Sequence, residues 1–368
     1  MTPQDRDERE RTRFRVATFN TSLYSDEDGG LIRRLEGGDA AARRIAAVLQ
    51  TVRPDVVLLN EFDYDEAGRA ADLFQRDYLG VGQDGRAALA YAHRYFAPVN
   101  TGVPSGLDID GDGRTDGPGD AWGYGHHPGQ YGMLVLSRFP IDAARVRSFR
   151  LFPWSAMPGA LRPVNPDGSA FYPDATWTQL RLSSKSHWDV PIATPRGTLH
   201  FLVSHPTPPV FDGPDDHNGR RNHDEIRLWA DYLSGATYLF DDAGARGGLA
   251  HGAHFVIAGD LNADPNDGAS YDRAIRQLLD HARVRARPVP ESAGAAEAGV
   301  AHTTHRTEAR HDTAKFGGDT GNLRIDYVLP STTLTVHDAR VFWPVASHPD
   351  AALLEVSDHH LVWLDVSM

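Results

Sequence analysis

Asn20, Glu61, His205, Asp260, Asn262, Asp326, Asp358 and His359 are the acidic, amide and imidazole groups that hydrolysis of a charged ester calls for. Such a reaction must neutralise a phosphoryl group, activate a water and stabilise a leaving oxygen. Hard divalent cations such as Mg²⁺ or Mn²⁺ prefer carboxylate, amide and water oxygens. Histidine titrates near neutrality and carries protons best when a carboxylate fixes its tautomer. The residues fall in six short stretches: ATFN (Ala17–Asn20), PDVVLLNE (Pro54–Glu61), LVSHP (Leu202–Pro206), AGDLNADP (Ala258–Pro265), RIDYVLPS (Arg324–Ser331) and SDHHLV (Ser357–Val362). Taken singly, each has a plain structural reading. Asn20 caps a strand end, Glu61 is a solvated edge residue, His205 is a satisfied core histidine, and GDLN is a turn. Of His359 and His360 only one can face a site, because strand neighbours alternate. Six such stretches by accident are a far poorer account than a shared site.

The elements that must position these groups are short. Phe14–Asn20 alternates apolar and polar residues and reads as a strand. Ala40–Val52 reads as a helix with Ile45, Val48 and Leu49 on its buried stripe, ended by Pro54. Val56–Leu59, Gly132–Ser137, Gln179–Leu182, Leu199–Ser204, Phe255–Ala258, Ile325–Leu329 and Leu361–Val366 read as strands. Asn222–Leu233 is a second helix, with Ile226, Trp229, Ala230 and Leu233 at helical spacing, and Ala274–Leu279 a third. Glu291–Ala301 reads as a mobile Gly/Ala-rich loop. Strands outnumber helices and many connections are long and rich in Gly and Pro, which predicts two packed sheets with helices outside. No repeat or break in composition divides the chain. We read residues 1–12 as a disordered, charged leader and 13–368 as one catalytic domain with insertions around 98–130, 152–175 and 285–320. Four strands run directly into Asn20, Asn60 and Glu61, His205, and Asp260 and Asn262, so one sheet rim can gather them.

In their order, the six stretches resemble the endonuclease/exonuclease/phosphatase superfamily, which includes deoxyribonuclease-I-like nucleases, abasic-site endonucleases, sphingomyelinases and inositol polyphosphate 5-phosphatases. The resemblance spans about residues 14–366. It implies an α/β four-layer sandwich of two packed mixed β-sheets flanked by helices. It also implies roles. Asn20 matches the first-strand asparagine beside the metal, and Glu61 the main metal ligand. His205 matches the histidine that contacts the scissile phosphate and protonates the leaving oxygen. Asp260 and Asn262 match the pair that orients the attacking water and holds phosphate or a second metal, and Asp326 the aspartate that supports the last histidine. Asp358 and His359 match a metal ligand and a general base or phosphate stabiliser, and the base role stays open between Asp260 and His359. The chain departs from the family at Asn60, where Gln is common, and at Leu261, where Phe is common.

The rest of the chain bounds the reading. It has no cysteine, which excludes disulfides, zinc–thiolate sites and cysteine nucleophiles. No apolar run approaches the roughly 20 residues of a membrane helix. A net charge of −13 argues against a basic coat protein for nucleic acid, though not against a nuclease that meets phosphates through cations. Asp108, Asp110 and Asp112 follow the start of a calcium loop, with Asp116 at its ninth position, but Gly119 stands where the bidentate Glu belongs. Lys185 and His187 lie in a segment that could line a substrate pocket, Arg220 and Arg221 could attract phosphate at a helix start, and Tyr131 borders the site. His302, His305 and His311 lack the spacing of a zinc site and read as a polar rim. The expected function is hydrolysis of a small organic phosphoester by in-line attack of water, with Mg²⁺ or Mn²⁺ held by Glu61, Asp358 and Asn20 and Ca²⁺ at the aspartate loop. The alternatives are an exported nuclease acting on DNA or RNA, and a silent binding module of the same fold. The full set of catalytic residue types argues against the silent module. No obligatory protein partner is inferred. The calcium-like loop, the absence of cysteine and the truncated-looking start give the expectation of an exported protein whose signal peptide is absent from this chain.

Overall fold

The computed structural model describes residues 13–301 and 304–368. The leader at 1–12 and His302 lie outside the described residues. The chain enters as β1 (Phe14–Leu23) and continues through helix α1 (Ala40–Val52) and strands β2 (Val56–Phe62), β3 (His93–Phe96), β4 (Met133–Ser137), β5 (Arg147–Ser148), β6 (His187–Thr194) and β7 (Gly197–Ser204). Helix α2 (His217–Leu233) follows, then β8 (His254–Asp260), β9 (Ala314–Lys315), β10 (Asn322–Leu323), β11 (Asp326–Pro330), β12 (Thr335–Val341) and β13 (Val362–Ser367). Helix α1 begins where the Asp39 side chain accepts the Ala42 N–H and ends at Arg53 in the left-handed conformation.

One sheet has the order β12-β13-β1-β2-β4-β3 and the other β11-β8-β7-β6-β5. Both are mixed, with β1 parallel to β2 and β7 parallel to β8. Strand alternation then sorts the apolar residues into three cores. Val16, Val56, Leu58 and Val135 of one sheet meet Val190, Phe201, Val256 and Ala258 of the other between the sheets. Phe19, Val57 and Leu59 pack outward against Ile45, Val48 and Leu49 of α1. Leu202, Phe255 and Ile257 pack against Ile226, Trp229 and Leu233 of α2. The result is the four-layer sandwich that the sequence implied. Among the described residues no helix is long and apolar enough to cross a membrane.

Two local expectations are corrected. Gln179–Leu182 is not a strand, and Arg181 makes only an isolated bridge to Pro153. The true strand is β6, masked in the sequence by Pro191, which β6 accommodates opposite His200. Within Glu291–Ala301, Ala293–Ala298 is a helical turn whose start is capped by the Ser292 side chain. Its small residues serve packing: a Cβ on Gly294 would run into the carbonyl oxygens of Trp343 and Pro344.

The parallel pairs bring the critical strand ends to one rim. Asn20 is in register with Asn60, Asp260 with Asp326, and His187 with Ser204. Gly259 makes a close approach there, at φ +153 and with the Ser204 carbonyl where a Cβ would stand. Gly259→Ala should therefore push the Asp260 end of β8 away from the His205 end of β7. The expected outcome is a melting temperature lower by several degrees, for a cost of about 1–3 kcal/mol, read by scanning calorimetry.

Candidate active site

Asp260 ends β8, Asp326 opens β11 and His359 precedes β13. Atoms of the three side chains lie within 4.8 Å of one another. His359 Nδ1 is 2.9 Å from Asp326 Oδ2, while its Nε2 is 3.5 Å from Asp260 Oδ2 and 3.7 Å from Asp358 Oδ1. Burial works against charge on this ring, but Asp326 and Asp260 outweigh it and hold its pKa well above the ordinary imidazole value. Asp260 mirrors this. Burial opposes its charge, yet His359, His205 and the Asn20 amide hold it well below the usual carboxylate range. His205 Nε2 lies 3.4 Å from Asp260 Oδ2, and burial followed by the Lys185 charge lowers its pKa. Its Nδ1 is buried with no hydrogen-bond partner among the described residues.

Asn20 joins the two halves of the site. Its Nδ2 donates to Glu61 Oε1 and to Asp260 Oδ2, both at 3.0 Å. Its Oδ1 accepts the Ser22 N–H at 3.2 Å, so the amide orders the two carboxylates instead of turning its oxygen to a cation. The Asn262 N–H donates to Asp260 Oδ1 at 2.9 Å and its Nδ2 to the Pro206 carbonyl at 3.1 Å. Glu61, Asn262, Ser22 and Tyr131 all hold left-handed backbone, with φ of 54°, 53°, 49° and 55°. Each such residue costs on the order of 1–2 kcal/mol, and this kind of strain clusters at functional sites. Tyr131 is fixed by its N–H to Asp63 at 3.0 Å and packs on Tyr24 with ring centres 4.6 Å apart. Burial first, and Glu61 among the nearby charges, raises the pKa of both tyrosines, which places this pair at the Glu61 wall.

A family model described as the endonuclease/exonuclease/phosphatase family matches residues 17–359. The chain belongs to that family. No curated protein matches it. Among solved structures, it is similar to an endonuclease/exonuclease/phosphatase from Beutenbergia cavernae at 19% identity and TM-score 0.55, covering 97% of this chain and 72% of that one. Sphingomyelinase C from Streptomyces griseocarneus follows at 17% identity and TM-score 0.47, covering 96% and 99%. Truncated TDP2 from Caenorhabditis elegans is at 12% and 0.46, covering 97% and 98%. The first of these likenesses concerns the fold.

In this endonuclease/exonuclease/phosphatase site the donor set fits a hard divalent cation. Among the described residues, the Glu61 carboxylate has only Asn20 as a side-chain partner, and Asp358 is half exposed with its Oδ1 3.7 Å from His359 Nε2, so each has oxygen left to offer a cation. Three further residues, of which only Asn60 stands in a sequence motif, hold this set in place. Thr313 Oγ1 donates to Asp326 Oδ2 at 2.8 Å and accepts the N–H of Ile325 and Asp326. Asn60, the departure from the family pattern, accepts the Asp260 N–H at 3.1 Å and so links the two sheets. Glu225 is wholly buried and accepts from Ser184 and from Thr207, two residues beyond His205. Asn60 stood out in the sequence at the end of an apolar strand beside Glu61, whereas nothing local marked Thr313 or Glu225.

Several candidates are corrected. His187 is wholly buried, with Nδ1 2.6 Å from Ser183 Oγ and Nε2 2.8 Å from the Glu225 carbonyl, so it is a core residue and not a substrate contact. Arg221 donates to the carbonyls of Leu182, Trp122 and Arg181 and serves as a cross-link. Arg220 donates to the Asp215 carbonyl and lies over Tyr271, away from the carboxylate cluster in its contacts. In the aspartate loop, Asp108 and Asp110 meet Asp120 within 4.8 Å, whereas Asp116 pairs with Arg114 and Asp112 caps the Arg114 N–H. His311 is turned to the Pro290 carbonyl at 2.8 Å. Lys185 is buried, and burial opposes its charge while Glu225, Glu61 and Asp260 favour it.

Thr313→Val should leave Asp326 short of a donor and two backbone N–H groups without an acceptor. We expect a loss of stability of about 1–3 kcal/mol with a clear fall in turnover, and Thr313→Ser should restore both. Paired denaturant melts and rate measurements check this.

Proposed function

We propose that the chain is a metal-dependent hydrolase of small, organic phosphoesters, acting by in-line attack of water. The observation that carries the reading is the convergence of Asp260, Asp326 and His359 within 4.8 Å, tied to Glu61 through a single Asn20 amide. Glu61 and Asp358 would hold Mg²⁺ or Mn²⁺, with Asn20 ordering Glu61 against Asp260. When bound, such a cation neutralises phosphoryl charge and polarises the ester. Asp260, kept ionised, orients the water and takes up its proton. His359, kept protonated by Asp326, donates to a phosphoryl oxygen. Asn262 holds the loop that carries Pro206 and so the position of His205, whose ring faces the leaving oxygen. Tyr24 and Tyr131 border the space beside Glu61.

A small ester is favoured over a polynucleotide by two features. The net charge is −13, and Arg221 and Arg220, the cations best placed for a phosphate backbone, have contacts elsewhere. The aspartate loop is proposed as a Ca²⁺ site formed by Asp108, Asp110 and Asp120.

Glu61→Ala and His359→Ala should each cut hydrolysis of an activated phosphoester by on the order of 10²–10⁴-fold; Glu61→Ala should melt close to wild type, whereas His359→Ala should stay folded with a lower melting temperature, because buried Asp260 and Asp326 lose a partner. A panel of mono-, di- and triesters and plasmid DNA, assayed with Mg²⁺, Mn²⁺, Ca²⁺ and EDTA, tests the rest. Salt-sensitive nicking of plasmid by the wild type, with no ester turned over, would sink the small-ester reading. For the loop, Ca²⁺ should raise the melting temperature of the wild type and not of Asp110→Ala. Equal melting temperatures with and without Ca²⁺ would remove that site.

A further inference from the structure

Strand pairing ends just before the chemistry begins. The β7–β8 ladder makes its last pair between Val203 and Ala258, and β7 itself ends at Ser204. His205, Pro206 and Thr207 lie beyond that end, whereas Asp260 is still in register with Asp326 on the other side of β8. The 3.4 Å between His205 Nε2 and Asp260 Oδ2 is therefore not set by the sheet alone.

Helix α2 supplies what the ladder does not. Asn222, Glu225 and Trp229 follow one another at about one helical turn each, so they share a face. Trp229 Nε1 donates to Ser204 Oγ at 3.0 Å, on the residue before His205. Glu225 Oε2 accepts the Thr207 N–H at 2.6 Å, on the other side of it. Asn222 reaches further. Its Nδ2 donates to the Thr207 carbonyl at 2.8 Å and to the Leu261 carbonyl at 3.0 Å. Leu261 directly follows Asp260, so one amide spans the two chain exits that carry His205 and Asp260. Asn222 is wholly buried, and among the described residues its Oδ1 has no hydrogen-bond partner. Two carbonyls can be met only by the NH₂ end of the amide, which fixes its orientation and leaves the oxygen over. The side chain serves the bridge and nothing else.

We propose that Asn222 is a positioning residue, which sets the placement of His205 against Asp260 by tying Thr207 to Leu261. This rests on the phosphoester reading and adds to it a residue that touches neither the ester nor a metal ligand. His205 and Asp260 must meet one phosphoryl group from fixed directions, and a slide of about 1 Å is enough to cost a large part of the rate. Release of the His205 loop weakens proton delivery to the leaving oxygen and leaves the Glu61 and Asp358 side of the site as it was. The loss is greatest for an ester whose leaving oxygen most needs a proton.

The test compares wild type with Asn222→Leu, which is close in shape and has no donor, as full chains with Mg²⁺. Two phosphodiesters are used, one with a nitrophenolate and one with an alkoxide leaving group. Asn222→Leu should lose on the order of 10²-fold in kcat on the alkyl ester and about tenfold or less on the nitrophenyl ester, with KM unchanged on both. Should Asn222→Leu not fold, Asn222→Ala must show the same uneven loss. A second readout does not need turnover. In proton–nitrogen NMR of the imidazoles, the His205 signal, identified by its disappearance in His205→Gln, should move in Asn222→Leu. The His200 signal, from earlier in β7, should stay in place. Equal losses on the two esters, a raised KM with kcat unchanged, or an unmoved His205 signal overturns the proposal and makes Asn222 a structural residue. If wild type turns over neither ester, the hydrolase reading fails on its own, and the His205 signal then decides: a shift supports the bridge between the two loops, and no shift overturns it.

Discussion

The negative charge on Asp260 lies at the seam between the two sheets, 1% exposed, and much of the molecule is arranged to keep it there. A buried carboxylate stripped of its partners costs several kcal/mol, comparable to the whole stability margin of a domain. The partners come from both sheets. Asn20 and Asn60 reach across from β1 and β2 to its side chain and its N–H, while Asn262, His205 and His359 surround it from loop positions. Apolar packing between the sheets is directionless and would tolerate small slides. These polar links are not directionless, and they fix where one rim sits against the other.

The same constraint explains why the site sits on strand ends. Parallel pairing of β1 with β2 and of β7 with β8 sends four chain exits to one rim, and antiparallel β11 and β13 deliver Asp326 and His359 back to it. Glu225 does for the pocket wall what Asn20 does for the carboxylates. It is one acceptor shared between two segments, so neither segment moves alone.

The layer order was legible in the sequence because three-way sorting of apolar residues leaves a clear period in β1, β2, β7 and β8 and a clear stripe on α1 and α2. The residues at strand exits were legible for a related reason: polar groups after apolar runs stand out. What stayed hidden was of another kind. β6 was obscured by Pro191, whose missing N–H the strand can tolerate. Thr313 and Glu225 act through hydrogen bonds to partners 13 and 41 residues away, and no local pattern encodes such a distance. His187 and Arg221 have the right chemistry and the wrong surroundings, since only packing decides whether an imidazole or a guanidinium meets solvent or carbonyls.

The left-handed backbone at Ser22, Glu61, Tyr131 and Asn262 has an evolutionary consequence. Glycine adopts those angles without the steric cost that a Cβ brings. At Glu61 and Asn262, the change that relaxes the fold is therefore also the change that erases a functional side chain. At these two positions backbone relaxation and the proposed chemistry therefore ask for different residues. A lineage released from the need to act on its substrate should lose these side chains first, while the sheets beneath them persist.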